Sequence, residues 1–202
     1  MSKIICKIKE VGISNTLIGS YKLLRYKRLQ KDYGFDPWHT SPYELRKYAQ
    51  DVAKYINDNL HRESTVVDIG CGLGEVLRNV KAKKRVGLDL DEAAIKCARM
   101  LDRSKTIEYE VGTFENFEKG QIVDFLITLS FMHGSREDSW REPYHNFTEK
   151  NDVRNIIVDV VPEGVDGAKE LDFSKILPEC YTLTKRMGPY LSGRYIEIYT
   201  KS

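Results

Sequence analysis

The stretch "VVDIGCGLGEVL", Val66 to Leu77, decides how the rest of this chain is read. An apolar run breaks into three glycines at alternate positions, Gly70, Gly72 and Gly74, and then turns helix-forming. That shape predicts a buried strand, a tight turn and a helix N-terminus. Working outward, strands and helices alternate from Ser64 onward. Strands are expected at 65–69, 85–89, 107–111, 123–130 and 155–161. Helices are expected at 75–82 and 91–103, and the stretch 113–119 reads as helical or irregular. Such alternation implies a parallel sheet covered by helices on both faces. The end of the chain breaks the rhythm. "CYTLTKRM" and "RYIEIYTK" are both strand-like, and "GPYLSG" joins them. Strands so close in sequence pair antiparallel. The expected architecture is therefore α/β, a mostly parallel sheet finished by an antiparallel hairpin.

The segment before Ser64 has another character. Residues 3–13 read as a short strand or an irregular arm. Residues 16–31 alternate apolar Leu17, Ile18, Tyr21 and Leu24 with basic residues, as a basic amphipathic helix does. "SPYELRKYAQDVAKYIND" predicts a helix opened by a capping box, with Ser41 as N-cap, Pro42 in first position and Glu44 three residues after the cap. Residues 1–60 are thus expected to form an N-terminal helical cap on a core of 61–202, in one compact unit. The chain of 202 residues is long enough for that core. Its net charge of +2 argues against nucleic acid as a partner. The charge is uneven, because eight of the Lys and Arg residues but only two acids fall within 1–35. This basic segment reads as a solvated face, as an attractant for an anionic acceptor, or as a surface that rests on a membrane. Four scattered cysteines without a CxxC pair read as free thiols of a reducing compartment. With no transmembrane run and no signal-peptide core, a cytoplasmic protein is expected.

The spacing of the glycines bears on the ligand. A dinucleotide fingerprint, G-x-G-x-x-G, would need glycine at position 75, which is Glu. A pyrophosphate also disfavours a carboxylate nearby, whereas Asp68 stands two residues before the first glycine. S-adenosyl-L-methionine carries an ammonium and a sulfonium and no phosphate. Asp68 suits that ammonium, directly or through water, and the glycines let the backbone approach. Asp89, 21 residues on at the tip of the second strand, is placed to accept from both ribose hydroxyls.

These residues resemble the class I S-adenosylmethionine-dependent methyltransferases. "VVDIGCGLGEVL" is similar to their first motif and "VGLDLDEAAI" to their second-strand acid. "YEVGTFENF" and "VDFLITLSFMHG" occupy the places of the third- and fourth-strand motifs. The resemblance covers roughly 45–202 and implies a Rossmann-like, seven-stranded sheet. It implies cofactor contacts from Asp68, Gly70, Cys71, Gly72, Gly74, Asp89, Leu90, Thr113, Phe114 and Ser130. Thr113 departs from the pattern, since many members have an acid there against the adenine amine. The tetrapeptide expected of amino-group methyltransferases acting on adenine or glutamine is missing after the fourth strand. A nucleophilic Pro-Cys and metal-binding strand-end carboxylates are missing too, so no metal is expected. The resemblance then points to the small-molecule branch, with a small polar or saccharide-like acceptor, an anionic one included, and O-methylation. A protein or RNA methyltransferase, or a catalytically silent cofactor-binding subunit, is the alternative.

His133, at the mouth of the fourth strand, reads either as a general base for a hydroxyl acceptor or as a strand cap or cofactor contact. In the loop "DPWHTSPYE", His39 is a second catalytic candidate, and Trp38 and Tyr43 are candidate acceptor contacts. Packing of Trp38 against the capping box is the plain alternative. "SREDSWREPYHNF", residues 135–147, lacks a clean helical period. It reads as a substrate-facing loop carrying Trp140 and Tyr144, or as ordinary surface with buried aromatics.

Overall fold

The computed structural model describes residues 3–132, 135–165 and 169–202. Seven strands form one sheet: β1 (Thr65–Ile69), β2 (Lys84–Asp89), β3 (Glu108–Val111), β4 (Ile122–Thr128), β5 (Asp152–Val160), β6 (Tyr181–Met187) and β7 (Tyr195–Lys201). Their order is β3-β2-β1-β4-β5-β7-β6. The pairs from β3 to β5 are parallel, and β7 runs antiparallel to both β5 and β6. The central strands are buried almost throughout, as parallel strands covered on both faces must be. The expected mostly parallel sheet with a terminal hairpin is what the chain forms.

The helices are α1 (Lys3–Val11), α2 (Ile13–Tyr33), α3 (Lys47–Asp58), α4 (Glu92–Leu101), α5 (Asp138–Lys150) and α6 (Phe173–Ile176). On one face of the sheet, Ala49, Val52 and Ile56 of α3 and Ile95 and Ala98 of α4 meet Val66, Phe125, Ile127 and Ile198. On the other, Tyr144 and Phe147 of α5 and Phe173 and Ile176 of α6 meet Val67, Leu126, Ile156 and Val158. Tyr26 of α2 packs with Ala94 and Cys97 of α4 and with Leu73 of the glycine turn, which ties α2 to the core.

Four local expectations fail. Residues 3–11 form a helix rather than a strand or arm. The capping box does not assemble. Glu44 is drawn away to Lys22 at 2.5 Å, residues Tyr43–Leu45 form a 3-10 turn, and α3 begins only at Lys47. No α-helix follows the glycines. Turns and the 3-10 segment Leu77–Asn79 fill 75–82, because Glu75 and Arg78 are committed to tertiary hydrogen bonds and β2 begins soon after. Finally, 138–150 is a helix that contains Pro143. Proline six residues into a helix removes one backbone donor and obscures the periodicity. Tyr144 and Phe147 are its buried stripe.

Candidate functional site

The order of strands reverses between β1 and β4. An open α/β sheet has its crevice outside the carboxyl ends of the strands at such a point. A cavity of about 1030 Å³ lies there, walled by the glycine turn, the tip of β2, the 112–115 turn, the end of β4 and the 36–41 strap.

All three glycines of the turn have positive φ, at 76°, 52° and 68°. L-residues rarely adopt that backbone, so the alternation is a conformational demand. Space demands glycine as well. A Cβ on Gly70 would stand 2.4 Å from the Phe131 ring, one on Gly72 2.6 Å from His39 Nδ1, and one on Gly74 2.1 Å from the Tyr109 hydroxyl. Gly70, Cys71 and Gly72 line the cavity, while Gly74 faces Tyr109 away from it.

Asp89 is buried and serves the turn directly. Its Oδ2 accepts from the Gly72 amide at 2.7 Å and its Oδ1 from the Asp91 amide at 2.9 Å. Asp91 caps α4 by accepting from the Ala94 amide, and its other oxygen accepts from the Asp36 amide at 2.8 Å. That bond holds the strap over the turn and brings Trp38 and His39 to the cavity. Leu90, Thr113 and Phe114 line the same end. The Thr113 amide and side chain are engaged with Asn116 in a small capping box. Asp68 does not line the cavity. It is buried beside the turn, and desolvation together with the neighbouring Asp89 pushes its carboxyl up to about 8. Burial likewise pushes the Cys71 thiol well up, so Cys71 is no nucleophile at neutral pH.

Apart from Ser130, expected as a cofactor contact, the opposite end is built from residues the sequence did not single out. Tyr48, on α3, is buried, and its hydroxyl stands 3.3 Å from Ser130 Oγ. The Arg194 guanidinium lies over the Tyr48 ring at 4.4 Å and donates to Ser130 Oγ at 2.7 Å and to Asp159 at 2.5 Å. Arg46 donates to the buried Glu75 at 2.9 Å, and Glu75 also accepts from Tyr26 of α2 at 2.8 Å. Burial alone would raise the Tyr48 phenol. Arg46, Arg194 and the Ser130 hydrogen bond outweigh it and hold the group below the ordinary tyrosine value. Ser130 itself has φ 67°, a strained backbone for a non-glycine residue at the mouth of β4. Arg46 Nε, Arg194 Nε and Trp140 Nε1 are buried without a partner among the described residues, and all three residues line the cavity.

Two expected acceptor contacts are displaced. Tyr144 is fully buried, its hydroxyl 2.5 Å from Thr128 Oγ1, with the Phe114 ring 5.0 Å away. It is a core residue because α5 turns that stripe onto the sheet. Tyr43 packs against the α3 side of the core and is absent from the cavity wall. Trp38 and Trp140 do line it, and Trp140 stands edge-on to Phe131 at 5.4 Å. His133 lies outside the described residues.

The turn suits S-adenosylmethionine: a backbone cradle that any Cβ would fill, and a strand-tip carboxylate beside it. The profile of the family described as "Methyltransferase domain" matches residues 67–144. That match runs from β1 to α5 and covers the glycine turn and the tip of β2. Solved structures agree on the fold. Magnesium protoporphyrin IX methyltransferase of Synechocystis PCC 6803, with bound S-adenosylhomocysteine, superposes with a TM-score of 0.68 at 13% identity, over 93% of this chain and 99% of that one. The N-methyltransferase NodS of Bradyrhizobium japonicum WM9, in complex with the same product, gives 0.68 at 16% identity, over 87% and 97%. A putative methyltransferase in complex with the Haloferax volcanii Trm112 activator gives 0.59 at 14% identity, over 89% and 93%. No curated protein sequence matches this chain significantly. Among the described residues, no helix is long and apolar enough to cross a membrane.

Proposed function

We propose that this chain is an S-adenosyl-L-methionine-dependent methyltransferase that methylates a hydroxyl of a small polar acceptor, saccharide-like and anionic in character, in the cytoplasm. The observation that carries this reading is the Tyr48–Ser130 pair between two guanidiniums, on the same cavity as the glycine turn. The cofactor supplies an electrophilic methyl group when bound. Asp89 accepts from its ribose hydroxyls, Leu90, Thr113 and Phe114 flank its base, and Asp68 balances its ammonium. Tyr48 takes the proton of the acceptor hydroxyl. A phenol depressed by cationic neighbours has more of its conjugate base at neutral pH, which is what a general base needs. His133 is the other candidate for that role, and His39 a contact on the strap. Arg46 and Arg194 hold the anionic part of the acceptor, and Trp38 and Trp140 present apolar faces to it. The four unpaired cysteines accord with a reducing compartment.

The test is turnover with a panel of phosphorylated sugars, nucleotide sugars and their neutral counterparts. Methylation of an anionic member, placed on oxygen by NMR of the product, supports the reading. Transfer to nitrogen, or to neutral acceptors alone, overturns it.

A further inference from the structure

The basic segment of the sequence remains outside this chemistry. α2 buries Gly19 and Tyr26 and leaves Ile13, Leu17, Tyr21 and Leu24 65–70% exposed, with Ile18 nearly half exposed. At about 100° per residue, Ile13, Leu17, Tyr21, Leu24, Arg28 and Lys31 fall within an arc of about 80°, opposite the buried pair. The outward stripe is apolar in its first half and basic in its second. α2 holds five cations against one acid, Asp32. Lys22 is answered by Glu44, but Arg25, Lys27, Arg28 and Lys31 are exposed and form no ion pair among the described residues. The preceding α1 exposes Ile4 and Ile5 as well. A folded chain rarely leaves this much aliphatic surface in a single row beside unanswered charge without a surface to meet.

We propose that the outward face of α2 seats the protein on an anionic lipid surface. Apolar side chains of an interfacial helix enter the boundary between headgroups and acyl chains, and flanking cations meet the anionic headgroups. Tyr21 suits that boundary, with an apolar ring and a polar tip. Charge selects this occupant over a second copy of the chain. A two-fold contact uses one patch twice, so these cations would face a patch holding one acid per copy. The stripe is also a convex ridge, which lipid accepts without the complementary groove that a protein partner must supply.

The experiment is flotation of the full-length protein with vesicles of phosphatidylcholine mixed with phosphatidylglycerol, against vesicles of phosphatidylcholine alone. Binding to the mixed vesicles only is expected. It should weaken as salt shortens the screening length from about 10 Å at 0.1 M to about 3 Å at 1 M. Replacing three surface cations together, Lys27→Gln, Arg28→Gln and Lys31→Gln, should weaken it by about a hundredfold. Leu17→Ser with Leu24→Ser should abolish it while the melting temperature and S-adenosylhomocysteine affinity stay unchanged, since both side chains are exposed. The proposal is overturned by equal binding to neutral vesicles or by no binding at low salt. It is also overturned by a concentration-dependent dimer that the leucine substitutions break, or by polyglutamate binding with no vesicle binding.

Discussion

The cavity has two ends made in different ways. The glycine-turn end is local. Gly70, Gly72 and Asp89 fall within 20 residues, and one strand pair, β1 with β2, sets their geometry. The Tyr48 end is assembled from α3, the end of β4, β5 and the loop before β7, over a sequence span from Arg46 to Arg194. The local end holds carboxylates and backbone amides. The assembled end holds two guanidiniums, each paired with a buried carboxylate, around two hydroxyls. Under the proposed function the local end would hold the cofactor and the assembled end the acceptor. The difference teaches that one end of the cavity is written in a motif and the other in the packing.

The comparison breaks most sharply at the assembled end. Tyr48→Phe should lower turnover by roughly 10²–10⁴, the usual worth of a general base, and leave S-adenosylhomocysteine affinity nearly intact. The wild-type rate should then climb with pH above neutrality, ahead of the ordinary tyrosine value of about 10. A transition near 6.5, with the loss found in His133→Ala instead, would move the base to His133. Single-turnover rate and calorimetric affinity on the same two variants decide between them.

At the local end the expected loss is smaller and falls on binding. Asp89→Ala removes an acceptor for charge-assisted hydrogen bonds worth about 1.5–3 kcal/mol. Cofactor affinity should drop at least about tenfold, which corresponds to about 1.4 kcal/mol. Because the same carboxylate also holds the Gly72 and Asp91 amides, the melting temperature should fall too, and Asp89→Asn should restore part of it. Calorimetric affinity unchanged in Asp89→Ala would remove the strand tip from the cofactor site.

The remaining effect is a pH dependence. The Asp68 carboxyl is raised in the fold from 3.8 to about 8. The folded state therefore binds the proton more tightly than the unfolded chain. The stability this contributes is complete below about 4 and is lost as pH rises through about 8. A cofactor ammonium close to Asp68 favours the carboxylate, so binding should release a proton between about pH 6 and 8 and tighten over that range. Calorimetry in two buffers of different ionisation enthalpy measures the released proton. Asp68→Asn should abolish it, and no release in the wild type would separate Asp68 from the cofactor.

Much of the fold was legible because the periodicities were strong. "TVVDI", "DFLIT" and "NIIVDV" are strands on composition alone, and "YTLTKRM" with "YIEIYTK" could only pair antiparallel. Three of the failures have tertiary causes. At 41–46, at 75–82 and at 138–150, a side chain with a good local partner found a better distant one, or Pro143 obscured a helix that tertiary burial sustains. Tyr48 was visible only as one apolar member of the α3 stripe. Nothing in "YLSGRY" marked Arg194.

The sequence by itself determined the sheet, its terminal hairpin, the glycine turn and the acid at the tip of β2. These depend on short-range spacing and on side-chain alternation, which are properties of the chain read in order. The tertiary structure alone decided that Asp68 stands buried beside the turn, that Tyr144 belongs to the core, and that Tyr48 and Ser130 meet between Arg46 and Arg194. It also decided which way α2 faces. Those outcomes depend on desolvation and on contacts between residues as many as 146 positions apart, from Tyr48 to Arg194, and no local pattern encodes them.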